Sequence, residues 1–140
     1  MPGFVIDASA TLPWCFAEEA TPWTEGLLDR LQGVEEVRVP AHWPIEVMNG
    51  LLMAVRRKRI DLGRGGAVCR QFAALPIRIE PPHEPAAWNA VVQVATKHNL
   101  TIYDAADLEL TLRTGLPVAT LDGDLRKAAR AEGMALVEGA

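Results

Sequence analysis

Phe4-Val5-Ile6-Asp7-Ala8-Ser9 contains, in six residues, the unit from which the chain is built. Three apolar, β-prone residues read as a short buried strand. An acid follows at once, and then small residues that can open a helix, with Ser9 and Thr11 as capping side chains. The pattern returns along the chain. Val37-Arg38-Val39 is a second strand stopped by Pro40, Ile77-Arg78-Ile79 a third, Val118-Ala119-Thr120 a fourth and Ala135-Leu136-Val137 a fifth, with Leu100 to Tyr103 a further short β-type entry.

Helical patterns fill the intervals. Thr21-Pro22 is an N-cap followed by proline at the first helical position, and that helix runs to about Gly33. The next begins near Trp43-Pro44, with Ile45, Met48, Leu51, Leu52 and Val55 at helical spacing, and ends in the basic run Arg56-Arg57-Lys58-Arg59. Asp61 caps a helix reaching about Ala74. Another spans about Glu84 to His98, with Asn99 as a left-handed cap. Asp104 to Thr114 is a helix stopped by Gly115, and Asp124 to Ala131 a short one ended by Gly133. Strands alternating with helices predict an α/β fold, with a central, mainly parallel sheet of about five strands and helices on both faces. With no repeat, no low-complexity tract and no linker, residues 1–140 read as one domain.

This alternation gives four acids a common destination. Asp7, Asp104 and Asp122 follow β-type runs, and Glu46 opens a helical pattern. Ligands of open α/β sheets bind in the crevice outside the carboxyl ends of the strands. Carboxylates crowded there raise one another's pKa values. A hard divalent cation relieves that repulsion, and Mg²⁺ takes oxygen ligands at roughly 2.0–2.1 Å while keeping several waters. The set therefore reads as a metal-dependent phosphodiesterase site. Each acid taken singly has a plainer explanation, because Asp caps helices and acids suit the first helical turn.

Composition narrows the field. Hydrophobic residues make up 49% of the 140, enough for a core, and the formal charge of −4 is not that of a general nucleic-acid coat protein. Cys15 and Cys69 show no paired spacing, which predicts a reduced, cytoplasmic protein. No signal peptide and no membrane-length apolar run is read. His42, His83 and His98 are scattered without zinc-ligand spacing and read as surface or capping residues, although His42 and Glu46 stand one turn apart. Ser9 is the sole serine and has no nucleophile elbow around it. The segment Leu62-Gly63-Arg64-Gly65-Gly66 lacks the setting of a phosphate loop. The four tryptophans, Trp14, Trp23, Trp43 and Trp88, read as core or interface.

The ordered set Val5-Ile6-Asp7-Ala8-Ser9, Glu46 with Asn49, Tyr103-Asp104-Ala105-Ala106 followed by Leu108-Glu109-Leu110, and Ala119-Thr120-Leu121-Asp122 with Leu125 resembles the four motifs of PIN-domain ribonucleases, over nearly the whole chain. In size and compactness it looks most like the VapC-type toxins of toxin–antitoxin pairs. The resemblance implies a PIN-like three-layer α/β/α fold and a metal-dependent endoribonuclease. It makes Asp7, Glu46, Asp104 and Asp122 the catalytic acids that hold Mg²⁺ or Mn²⁺, with Ser9, Asn49 and Thr120 supporting them. It also implies an RNA substrate, a cognate antitoxin and a homodimer. Asp107 departs from the family pattern. One turn after Asp104, it is expected to approach the metal site more than the other extra acid, Asp124. Arg56, Arg57, Lys58, Arg59 and Arg126, together with Arg113, Lys127 and Arg130, are candidate RNA-contact residues, or else solvated helix ends. The competing readings are a PIN nuclease of RNA maturation without an inhibitor, an aspartate-nucleophile phosphatase, disfavoured because Asp7-Ala8-Ser9 is not Asp-x-Asp, and a non-catalytic binding module.

Overall fold

β1 (Phe4–Ile6) is wholly buried and lies in the middle of a parallel sheet. The computed structural model describes residues 3–33 and 35–139. The strands β2 (Val37–Val39), β3 (Ile77–Ile79) and β4 (Val118–Ala119) complete a sheet of order β3-β2-β1-β4, every pair parallel. Phe4 stands opposite Val37, and Val5 opposite Val118. The strands are joined by α1 (Ala8–Thr11), α2 (Pro22–Leu31), α3 (Trp43–Arg56), α4 (Leu62–Ala73), α5 (Pro85–His98), α6 (Ile102–Thr114) and α7 (Gly123–Ala131), with two 3₁₀ turns, Leu12–Cys15 and Ala17–Glu19, between α1 and α2.

Alternation along β1 divides the core into layers, because successive side chains of a strand point to opposite faces. Phe4 and Ile6 pack with Leu27 and Leu31 of α2, Trp43, Val47 and Leu51 of α3, and Val68 of α4. Val5 packs on the other face with Leu108 and Leu110 of α6 and Leu125, Ala128 and Ala129 of α7. This is the predicted three-layer α/β/α arrangement.

Two expectations need correction. The fifth strand contracts to one parallel bridge, Val118 to Leu136, held by Val118 N–H donating to Ala135 O (3.0 Å) and Val137 N–H donating to Val118 O (2.9 Å). β4 is only two residues long and offers little to pair with. The β-type entry at Leu100–Tyr103 is not a strand. Thr101 Oγ1 accepts from Asp104 N–H (3.2 Å) and starts α6 at Ile102, so Asp104 lies in a first helical turn instead of following a strand. On α3 the buried stripe is Trp43, Val47, Leu51 and Ala54, while Ile45, Met48 and Leu52 face solvent. Three tryptophans are inside or half-buried and donate to Thr24 O, Val137 O and Thr11 Oγ1; Trp88 is exposed.

β3 is the outer strand. Arg78 at its centre pairs with Glu36 (3.3 Å) and Glu80 (3.2 Å), Arg38 joins the same two acids, and Pro81-Pro82 follow. At the start of β1, Phe4 N–H donates to Glu36 O (3.0 Å), and a Cβ on Gly3 would sit 1.7 Å from that oxygen. The obstacle is backbone and cannot swing aside. Gly3→Ala should therefore cost about 1–3 kcal/mol, the usual penalty of overpacking, and lower the thermal midpoint by several degrees. An unchanged midpoint would show that the entry to β1 is not clamped against β2.

Candidate active site

The strand order reverses direction between β1 and β4, and the acids gather at the carboxyl ends of that pair. Asp7 follows β1 directly and is buried. It caps α1, its Oδ1 accepting from Ala10 N–H (3.1 Å) and from Ser9 Oγ (2.7 Å), while its Oδ2 accepts from Thr120 Oγ1 (2.5 Å). Ser9 Oγ in turn accepts from Leu121 N–H (2.9 Å), and Thr120 Oγ1 from Asp122 N–H (3.0 Å). The two hydroxyls thus tie the end of β1 to the end of β4 through Asp7. Arg126 secures the same turn from α7 by donating to Thr120 O (3.0 Å).

The remaining acids come from helix starts. Glu46 lies in the first turn of α3 and Asp104 in the first turn of α6, and Asp122 caps α7 by accepting from Asp124 N–H (3.2 Å). Carboxylate oxygens of Asp7, Asp104 and Asp107 lie within 4.8 Å of one another. Oxygens of Asp107 and Glu46 and a ring nitrogen of His42 form a second such group. Asp107 belongs to both. It is 1% exposed, and among the described residues neither of its carboxylate oxygens has a hydrogen-bond partner.

The electrostatics follow from this crowding. Burial pushes the Asp7 carboxyl up to about 6, against the opposing bonds from Thr120, Ser9 and Ala10, with Glu46 adding repulsion. Asp104 is pushed up to about 7 by burial, by a shared hydrogen bond and repulsion with Asp122, and by the charges of Asp7 and Glu46. Asp107 lies well above the ordinary carboxylate range because it is buried and surrounded by the other four acids. An unpaired buried carboxylate is costly. A cation held among these oxygens would remove the cost, and an all-oxygen group with one imidazole beside it is a donor set that divalent ions accept.

Of the other predicted residues, Asn49 is exposed on α3, and Asp124 is exposed with its carboxylate outside both groups. Arg59 is engaged elsewhere, bridging Glu18 (2.5 Å) and Glu19 (2.6 Å) over the Phe16 ring. Arg56, Arg57 and Lys58 are exposed at the far end of α3, roughly 15 Å along its axis from Glu46. Arg113 is paired with Glu109 and Glu80. His42, expected at the surface or as a cap, occupies the N-cap position of α3 without a side-chain capping bond and lies beside the acids, and its one-turn spacing from Glu46 is the sequence signal for that placement.

Because Asp7 and Asp104 bind protons more readily folded than unfolded, their contribution to stability is complete at pH below about 4 and is lost as pH rises through about 6–7, and Asp107, raised in the same direction, adds to the loss as pH rises. Chelator-treated protein should therefore melt lower at pH 8 than at pH 5.5, and Asp107→Asn should recover about 1–3 kcal/mol at pH 8 by removing an uncompensated buried charge. Scanning calorimetry at the two pH values checks both. A midpoint that rises from pH 5.5 to pH 8 would contradict the crowding.

Comparison with known proteins agrees with this architecture. Residues 4–131 match the family model described as the PIN domain. Ribonuclease VapC12 of Mycobacterium tuberculosis is 35% identical over 121 residues, covering 86% of this chain and 88% of its own. Among solved structures, PAE2754 from Pyrobaculum aerophilum superposes with a TM-score of 0.69 at 20% identity, over 91% of this chain and 79% of that one. Mycobacterium tuberculosis VapC20, described as a sarcin-ricin loop cleaving toxin, superposes with a TM-score of 0.67 at 17% identity, over 98% and 100%. No helix among the described residues is long and apolar enough to cross a membrane. The chain belongs to the PIN-domain family, among its VapC-type ribonucleases.

Proposed function

We propose that this protein is a Mg²⁺- or Mn²⁺-dependent endoribonuclease that hydrolyses RNA phosphodiester bonds in the cytoplasm, and that it is the toxin of a type II toxin–antitoxin pair. The observation that carries the reading is the Asp107 carboxylate, buried and without a partner among Asp7, Glu46, Asp104 and Asp122, in a chain 35% identical to a named VapC ribonuclease. Asp7, Asp104, Asp107 and Glu46 would hold the ion, with Asp122 close by. A bound divalent ion lowers the pKa of water, polarises a phosphoryl oxygen and stabilises the leaving oxygen.

The protein's own groups set the geometry. Ser9, Thr120 and the Ala10 N–H fix both oxygens of Asp7, which orients that carboxylate before any ligand arrives. Asp104 and Glu46 stand on helix starts, and Arg126 fixes the turn carrying Thr120 and Asp122. The exposed Arg56, Arg57 and Lys58 would contact backbone phosphates beyond the scissile bond, where such contacts position nucleic acid without reading its sequence.

The partner side of the proposal also has physical support. A cleft of five acids is a receptor for an arginine, which makes charge-assisted bonds to carboxylates. Ile45, Met48 and Leu52, exposed on the helix that carries Glu46, offer apolar surface to the rest of an antitoxin segment or to a second copy of the chain.

The test is cleavage of total RNA followed by sequencing of the ends. Cutting should require Mg²⁺ or Mn²⁺ and stop with chelator, and Asp104→Asn should lower the rate by about 10²-fold or more with the fold retained. Full activity in chelator, or in Asp104→Asn, would refute the assignment. In cells, expression should arrest growth and co-expression of the neighbouring antitoxin should relieve it; unaffected growth would refute the toxin role.

A further inference from the structure

His42 stands apart from the other two histidines. His83 Nε2 and His98 Nε2 each hydrogen-bond a glutamate outside the acid cluster, Glu109 at 2.7 Å and Glu132 at 2.8 Å. His42 Nε2 lies 2.9 Å from Glu46 Oε1, one turn along α3, and the buried Nε2 atom forms no hydrogen bond among the described residues. The two atoms are close without the alignment of a hydrogen bond. That is the relation between two ligands on adjacent corners of one octahedral ion, which are about 3 Å apart when each bond is about 2.1 Å. The third corner is present as well. An Asp107 oxygen, a Glu46 oxygen and a His42 ring nitrogen all lie within 4.8 Å of one another, and the Asp107 carboxylate is 1% exposed and has no hydrogen-bond partner among the described residues.

Asp107 also faces Asp7 and Asp104. It therefore stands between two groups of different chemistry, one with oxygen donors only and one containing a nitrogen. We propose that His42, Glu46 and Asp107 form a second, nitrogen-bearing cation subsite, joined through Asp107 to the Asp7–Asp104–Asp107 subsite, and that it takes Mn²⁺ in preference to Mg²⁺. The proposal rests on the metal-dependent reading above and adds a ligand to it.

The donor chemistry gives the preference. Imidazole suits transition ions, whereas Mg²⁺ favours carboxylate, carbonyl and water. A neutral imidazole also adds a ligand without adding negative charge to a cluster that already holds five acids. The ring is held in place from two sides. His42 sits at the start of α3 just before Trp43-Pro44, and the Tyr103 ring lies against it with centroids 5.6 Å apart and planes tilted by 55°.

The experiment is Mn²⁺ titration of the metal-free full chain, read by electron paramagnetic resonance, with electron spin echo modulation of the bound ion and parallel calorimetry with Mg²⁺. Bound Mn²⁺ should show a nitrogen coupling that changes to the ¹⁵N pattern when histidine is ¹⁵N-labelled. The coupling should vanish in His42→Gln and persist in His83→Gln and His98→Gln. His42→Gln should weaken Mn²⁺ binding at that step by about tenfold or more, and Mg²⁺ binding by less than about twofold. Mn²⁺ bound to the unmodified chain without histidine coupling, or a coupling that survives His42→Gln, would overturn this subsite and leave the metal-dependent reading standing. An unmodified chain that binds no Mn²⁺ would overturn both. If His42→Gln does not fold, the isotope switch in the unmodified chain and its retention in the His83 and His98 variants still decide the assignment.

Discussion

Repulsion among carboxylates is the constraint around which this protein is arranged. Parallel pairing of β1 with both β2 and β4 makes the carboxyl ends of β1 and β4 a point of convergence, and acids from four segments meet a fifth there. Left to itself such a cluster would push its own walls apart. The structure restrains it locally. Asp7 is held by three hydrogen bonds, and Glu46, Asp104 and Asp122 stand at helix starts, where the helix dipole partly offsets negative charge. Asp107 has neither form of relief. It sits in the middle of α6, beyond reach of the free N–H groups of the first turn, and this leaves it the member of the cluster whose charge is least compensated.

The same residues serve local folding and the acidic cluster. Asp7 is at once the cap of α1 and the tie between β1 and β4, and Asp122 is at once the cap of α7 and a member of the cluster. Capping and membership of the acidic cluster are therefore not rival explanations of these acids. The requirements coincide because the N-terminus of a helix following a parallel strand is the place in an α/β sheet from which a side chain reaches the crevice.

Much of this was legible from local rules. The strands at Phe4, Val37, Ile77 and Val118 were marked by short apolar runs, and helix ends by Thr21-Pro22, Asp61, Asn99 and Gly115, all residues whose backbone or capping chemistry acts over a turn or less. What depended on tertiary context was harder to read. Leu100–Tyr103 has the composition of a strand, but the Thr101 cap decides in favour of helix. Apolar residues occur around much of α3, so periodicity alone did not separate the stripe of Trp43, Val47 and Leu51 from exposed Ile45 and Met48. Asp107 was expected to approach the site because three residues separate it from Asp104 on one helix. His42 was passed over because its neighbours are acids instead of cysteines and histidines. Arg59 carried the charge of an RNA contact, but its distant partners Glu18 and Glu19 are not visible in a local reading.

The outer strand β3 has a consequence for how this molecule meets others at high concentration. An uncovered strand edge is a template on which a foreign chain can extend the sheet, and proteins with long, flat, apolar edges aggregate that way. Here the edge is three residues long, its centre is an arginine paired with two glutamates, and two prolines, which have no N–H to donate, follow after Glu80. Backbone pairing has almost nowhere to begin. At this edge, association with another chain is thereby diverted from the ribbon of the sheet to the side chains around it, where contacts are selective for shape and charge.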